Sequence, residues 1–84
     1  MVDLQEYERK LFEIAKREYG VKVAKRLRTK TFVGKIGVSE FVSKLREQGV
    51  KYEIIDGIIQ DGSLGQIAGT LIIWIDKEVQ DGLQ

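Results

Sequence analysis

The first part of the chain has the hydrophobic spacing of helices. Apolar residues recur at three- and four-residue intervals over residues 3–19, which predicts one amphipathic helix. Asp3 suits its N-cap and Gly20 can end it. Residues 21–28 predict a second short helix, or a continuation of the first, because apolar and basic residues fall on opposite sides.

A third helix is predicted over residues 38–48. Its apolar residues are spaced i, i+3, i+4 and i+7, the pattern of a helix that buries one stripe. Those residues are Val38, Phe41, Val42 and Leu45. Residues 29–36 are rich in β-forming side chains and are compatible with a short strand.

After Val50 the hydrophobic period changes from about four to two, which indicates strands. We predict strands at about 50–55 and 58–60, joined by a tight turn at Asp56 and Gly57, because Asp-Gly is a strong hairpin signal. A glycine-containing loop then leads to a last strand at about 66–76. Three helices packed on this small antiparallel C-terminal sheet give an α+β fold in a single domain, 1–84.

The last strand is apolar on both of its faces. A strand with one solvated face would alternate with polar residues. It is therefore either central, with both faces covered, or one face meets a second copy of the chain, and we predict a homodimer. The expected core is made of large apolar residues from all elements: Leu4, Leu11, Ile14, Leu27, Val38, Phe41, Leu45, Ile54, Ile67, Leu71 and Ile73.

Composition removes several classes of function. Cysteine and histidine are absent, so we expect no thiolate metal site, no cofactor and no histidine-activated nucleophile, and we predict that the chain is not an enzyme.

The longest apolar run, 67–75, is about half as long as a membrane-spanning helix requires. We therefore predict a cytoplasmic protein that does not enter membranes. The lack of cysteine and asparagine is a feature of thermophile proteins.

Charge is divided unevenly along the chain, although the net charge is only +1. Between Lys16 and Lys35 the only acid is Glu18, whereas acids dominate after Lys51. A concentrated cationic surface attracts polyanions, of which nucleic acid is the commonest. The predicted phosphate-binding residues are Lys22, Lys25, Arg26, Arg28, Lys30 and Lys35. A solvated helix face, or a surface that meets an acidic protein, would produce the same pattern.

Two glycines in this region suggest a backbone contact with phosphate. Gly34 and Gly37 frame a GxxG turn before the third helix, and glycine lets a backbone approach phosphate closely. Among the aromatic residues, Phe32 is the candidate for stacking on a base, since lysines flank it in the sequence. The order over 34–53, a GxxG turn followed by a helix and a strand, resembles part of the core of a KH-type RNA-binding domain, although no C-terminal helix follows. A GxxG motif is frequent by chance, and two glycines that simply shape a turn are the simpler explanation of it.

The sequence therefore favours a small nucleic-acid-binding protein that contacts the phosphate backbone of DNA or RNA through residues 22–35. The alternative is a protein-interaction or inhibitor module, of the kind encoded by mobile elements, that acts through its sheet or helices without nucleic acid.

Overall fold

The computed structural model describes residues 2–76 and confirms the α+β class. The described residues form two helices, a strand, a third helix and two further strands. In order these are α1 (Leu4–Tyr19), α2 (Val21–Arg26), β1 (Leu27–Val33), α3 (Val38–Glu47), β2 (Tyr52–Asp61) and β3 (Gly65–Ile75). None of the helices among these residues is long and apolar enough to cross a membrane.

The first two helices are separate, as one of the two sequence interpretations predicted. The Asp3 side chain caps α1 by accepting hydrogen bonds from the N–H groups of Gln5 and Glu6. Gly20 has a φ of 90°, which breaks the helical path before α2 begins. The prediction that α2 extends to residue 28 is wrong, because Leu27 already pairs with Ile75 in the sheet.

The sheet is antiparallel, and its strand order is β1-β3-β2. The predicted turn at Asp56 and Gly57 is wrong, since β2 runs through both residues. Gly57 lies directly opposite Gly69, and a side chain at Gly57 would overlap the Val2 carbonyl oxygen and the Leu4 side chain. This glycine therefore serves a close approach of the backbone rather than a turn.

The hairpin turn lies instead at residues 62–64, where the loop was predicted. The Asp61 carboxylate accepts hydrogen bonds from the backbone N–H groups of Ser63 at 2.8 Å and Leu64 at 3.0 Å. An aspartate side chain that accepts hydrogen bonds from backbone N–H groups two and three residues later stabilises a turn.

Both faces of β3 are covered by helices of the same chain. On one face Leu71 and Ile73 pack with Leu4 of α1. On the other face Ile72 packs with Val42 and Leu45 of α3. The two-sided apolar pattern of this strand is therefore satisfied within one chain, and it gives no reason of its own for a second copy.

The predicted core is partly correct. Leu4, Leu45, Leu71 and Ile73 are buried. Ile14 is 42% exposed and Ile54 is 46% exposed, so their placement in the core is wrong. Ile14 lies about 100° around α1 from the buried Ala15, which turns it away from the sheet. Ile54 lies on an edge strand, where only one neighbouring strand flanks it.

Candidate nucleic-acid interface

The clearest cationic surface of the described chain is the outer side of α2. Ala24 is buried where α2 packs against α1, and this contact turns Lys22 and Lys25 towards solvent. Neither lysine forms an ion pair within residues 2–76. Two predicted site residues therefore lie together on an open surface.

Arg26 and Arg28 are held by one acid, Asp76. The Nε atom of Arg26 donates to the Asp76 carbonyl oxygen at 3.1 Å. The Nε atom of Arg28 lies 3.0 Å from an Asp76 carboxylate oxygen. Trp74 donates from its indole nitrogen to the other carboxylate oxygen at 3.1 Å. The Asp76 carboxylate thus neutralises part of the charge on Arg28, whereas Arg26 is held by the Asp76 backbone.

Arg28 also connects the strand to α2. Its Nη1 atom donates to the backbone carbonyl oxygens of Lys25 at 2.7 Å and of Leu27 at 3.1 Å. These bonds hold the guanidinium beside the end of α2, next to Lys25. Three of the predicted residues, Lys25, Arg26 and Arg28, are therefore brought together at one end of the sheet.

Lys30 and Phe32 lie further along β1, on the face that α3 covers. The Lys30 ammonium is 5.7 Å from the ring centres of both Phe32 and Phe41. The two rings are 5.5 Å apart and tilted, so Phe32 contributes to the core beneath α3. Phe32 is partly buried, so only a minor part of its ring is open to a base.

Lys35 is remote from the α2 end. The strand rise separates Arg28 from Val33 by about 16 Å, and Lys35 follows Val33. Its Nζ atom lies 2.8 Å from an Asp56 carboxylate oxygen in an exposed ion pair. The predicted six cations are therefore divided between two ends of β1.

The backbone groups of Gly34, the first glycine of the predicted GxxG contact, are already hydrogen-bonded within the fold. The Gly34 N–H donates to the Ala68 carbonyl oxygen at 2.9 Å, and its own carbonyl oxygen accepts from the Thr70 hydroxyl at 2.7 Å. Gly37 has a φ of 84° and is the N-cap of α3, with the Phe32 ring 3.4 Å from where its Cβ would be. The φ values of 57° and 84° explain why glycine is required at both positions.

Sequence reasoning missed two residues of the α2 end. Arg17 lies in the last turn of α1 and is exposed, without an ion pair within residues 2–76. Asp76 was counted among the tail acids, but nothing in its local sequence shows that it meets arginines fifty positions earlier. Antiparallel pairing of β1 and β3 creates that contact, because Asp76 N–H bonds to the Arg26 carbonyl oxygen.

The Lys35 and Asp56 pair gives a testable pH effect. The Lys35 ammonium, through a hydrogen bond and its charge, holds the pKa of Asp56 below its usual range. A carboxyl pKa that is lowered by folding stabilises the folded state above the unfolded pKa, and this contribution is lost as pH falls through the folded pKa. We expect Lys35→Ala to raise the pKa of Asp56 towards its usual range, measured by carbon NMR of the side-chain carboxyls.

Asp61 serves as the internal control in that titration. Backbone N–H groups of Leu64 and Ser63 lower the pKa of Asp61, and neither group involves Lys35. The Asp61 titration should therefore be identical in both proteins. An Asp56 curve that does not move in Lys35→Ala would show that the ion pair is not formed in solution.

The described residues offer little for a metal ion. Within residues 2–76, no group of three or more histidine, cysteine, aspartate or glutamate residues is arranged to hold one.

Comparison of this chain with known proteins finds no match among protein-family models, among curated proteins or among solved structures. What this chain binds is therefore inferred from its own residues.

Proposed function

We propose that this chain binds the phosphate backbone of nucleic acid, in the cytoplasm, through the exposed cations at the α2 end of the fold. The residues are Arg17, Lys22, Lys25 and Arg28. The observation that carries the proposal is the pair of exposed lysines on α2, which have no acidic partner within residues 2–76. Cations on a short rigid helix can contact neighbouring phosphates and release their counterions.

The ion pair between Arg28 and Asp76 is compatible with this role. Both side chains are about half exposed, and exposed pairs contribute only about 0–1 kcal/mol. A phosphate that approaches Lys25 can therefore take over one of the Arg28 donors at small cost. Lys30 lies along the same strand and extends this surface, whereas Lys35 lies too far along the chain to share a phosphate with α2.

Sequence-independent binding is the form of recognition that these residues support. Phosphate contacts fix position on a nucleic acid but carry no base information. The exposed side of α3 includes Glu40 and Glu47, whose charges oppose insertion into a groove. Phe32 is largely occupied by its packing on Phe41. We therefore expect similar affinities for duplexes of different sequence.

The test is a charge reversal on α2. We expect Lys22→Glu/Lys25→Glu to weaken binding to labelled duplex DNA and to single-stranded RNA at least tenfold. The slope of log affinity against log salt should fall by about 2 for the duplex, since each lost phosphate contact removes about 0.9. Fluorescence anisotropy at several salt concentrations measures both quantities.

The matched control is Lys10→Glu/Lys44→Glu, which changes the net charge by the same amount. Both lysines are exposed, one on α1 and the other on α3, and they lie on opposite sides of the sheet. The control should bind almost as well as the unchanged protein. Equal losses in both variants would mean that net charge alone drives binding, and no binding by the unchanged protein would refute the proposal.

A second candidate function is favoured by apolar groups on the outside of the helices. Phe12, Ile14, Tyr19 and Val21 are all exposed, on α1 and at the start of α2. These groups suit a protein-interaction module, whose basic α2 end would meet an acidic protein. Recovery of one stoichiometric protein partner in a nuclease-treated pull-down, lost in Phe12→Ala/Tyr19→Ala, supports this function over the first.

A further inference from the structure

The outer edge of β1 has unused backbone hydrogen-bonding groups. The bonds from Gly34 N–H to Ala68 and from Asp76 N–H to Arg26 show that even-numbered residues of β1 bond to β3. In an antiparallel ladder the alternate residues direct their backbone groups away from the partner strand. The N–H and C=O groups of Thr29 and Thr31 therefore point outward, and they have no backbone partner within residues 2–76.

The opposite edge of the sheet is better protected. On β2 the outward N–H of Ile58 donates to the Val2 carbonyl oxygen at 2.8 Å. The next outward N–H, that of Gln60, donates to the Gln5 side chain at 3.4 Å. Residues before α1 and in its first turn thus cover the C-terminal part of that edge, whereas β1 presents exposed side chains at Thr31 and Val33. Open strand edges are templates for pairing with another chain.

We propose that β1 pairs antiparallel with β1 of a second copy of this chain, around a two-fold axis at Thr31. The two three-stranded sheets then form one continuous six-stranded sheet. A two-fold axis gives the same contacts to both copies, as in most homodimers. This proposal does not depend on nucleic-acid binding.

Charge excludes two neighbouring registers of this pairing. A two-fold axis at Lys30 would place two lysines directly opposite, and an axis at Thr29 would place Arg28 opposite Lys30. Like charges directly opposite destabilise a sheet. An axis at Thr31 places Lys30 opposite Phe32 of the second copy and Arg28 opposite Gly34.

Lysine on an edge strand usually opposes pairing. The Lys30 ammonium, however, already lies 5.7 Å from the centres of two aromatic rings, and pairing would place a third ring, Phe32 of the second copy, beside it.

The same register gives the exposed valine a place to pack. With the axis at Thr31, Val33 of one copy lies opposite Thr29 of the other. Thr29 borders a groove of about 360 Å³ between α1 and β1, which Phe12 and Leu27 also line. Val33 is 55% exposed and Phe12 is 41% exposed in the single chain. Pairing therefore brings Val33 to this groove and adds about four backbone hydrogen bonds between the copies, because the Val33 carbonyl oxygen already accepts from Ile36 N–H at 3.1 Å.

The first experiment uses the absence of cysteine from the chain. Thr31→Cys should cross-link into a covalent dimer with a short bifunctional maleimide, because paired residues have Cα atoms about 5.5 Å apart. Thr29→Cys and Val33→Cys should each cross-link poorly alone, since each cysteine is displaced along the strand from the same cysteine in the second copy. A mixture of those two variants should cross-link efficiently. Equal yields for all three single variants would overturn the proposed register.

The second experiment measures mass in solution by light scattering. The unchanged protein should have twice the 9.6 kDa mass of the single chain. Thr31→Pro removes an outward N–H without breaking the bonds to β3, and it should weaken the dimer at least about tenfold. The matched control is Ile54→Pro, which removes an outward N–H from the other edge and should leave the dimer intact.

The outcomes separate the alternatives. A protein that is monomeric at all concentrations overturns the proposal and leaves the β1 edge for a strand of another protein. A dimer that survives Thr31→Pro, or that Ile54→Pro dissociates, overturns it in favour of a different interface. Circular dichroism of each proline variant confirms that the chain remains folded, and the cysteine variants test the same contact without proline.

Discussion

Gly57→Ala is expected to lower the free energy of unfolding by about 2–3 kcal/mol, the cost of forcing extra volume into a closely packed site. The added Cβ would overlap the Val2 carbonyl oxygen and lie 2.8 Å from a Leu4 methyl carbon. Backbone cannot rotate away as a long side chain can, so the segment before α1 must shift. That shift would also strain the 2.8 Å hydrogen bond from Ile58 N–H to Val2.

Urea unfolding followed by circular dichroism measures this effect, at one protein concentration for all variants. The matched control is Gly62→Ala in the β2–β3 turn, where an added Cβ has no atom within 4 Å. Gly62→Ala should change stability by less than about 0.5 kcal/mol. Equal small effects at both positions would show that the segment before α1 does not lie against Gly57 in solution.

The same glycine explains why the sequence misled us about β2. Asp-Gly is a turn signal because both residues tolerate positive φ. Here Gly57 and Gly69 pair across the sheet and leave a hollow that receives the fully buried Leu4. A turn and a close approach both require glycine, and no local pattern distinguishes them. Only the position of α1 against the sheet decides between the two.

The helices were predictable because their signals are local. Asp3, Gly20 and the i, i+3, i+4 spacing of α3 fix element type and nearly fix the boundaries. The end of α2 was not predictable in this way. Its helical pattern continues through Leu27, but pairing with Ile75 draws that residue into β1. Tertiary contacts override helix propensity at such boundaries.

The candidate site was predictable in composition but not in arrangement. The sequence identified the cations, and α2 does present Lys22 and Lys25 to solvent. It suggested a short strand over residues 29–36, but it did not show that β1 would begin at Leu27 and separate Arg28 from Lys35. It also could not show which acids approach them, because Asp76 and Asp56 come from other strands.

Ile72→Ala should destabilise the protein by about 2–5 kcal/mol, as truncations of fully buried large residues do. Ile72 has no exposed surface and packs beneath Val42 and Leu45 of α3. Leu71→Ala should cost a similar amount, because Leu71 is equally buried on the opposite face beneath α1. Large losses at two successive residues are expected only for a strand with both faces covered.

The matched control is Ile36→Ala, which makes the same truncation at a side chain that is 78% exposed. Its effect should stay below about 0.5 kcal/mol. The comparison is best made in the Thr31→Pro background, so that any dimer at β1 does not add to the measured stability. If one face of β3 were covered by a second copy rather than by a helix, the loss of stability at one of the two positions would change with protein concentration. Equal losses at Leu71 and Ile72 at all concentrations would show that α1 and α3 alone bury the strand, which leaves the β1 edge as the surface for self-association.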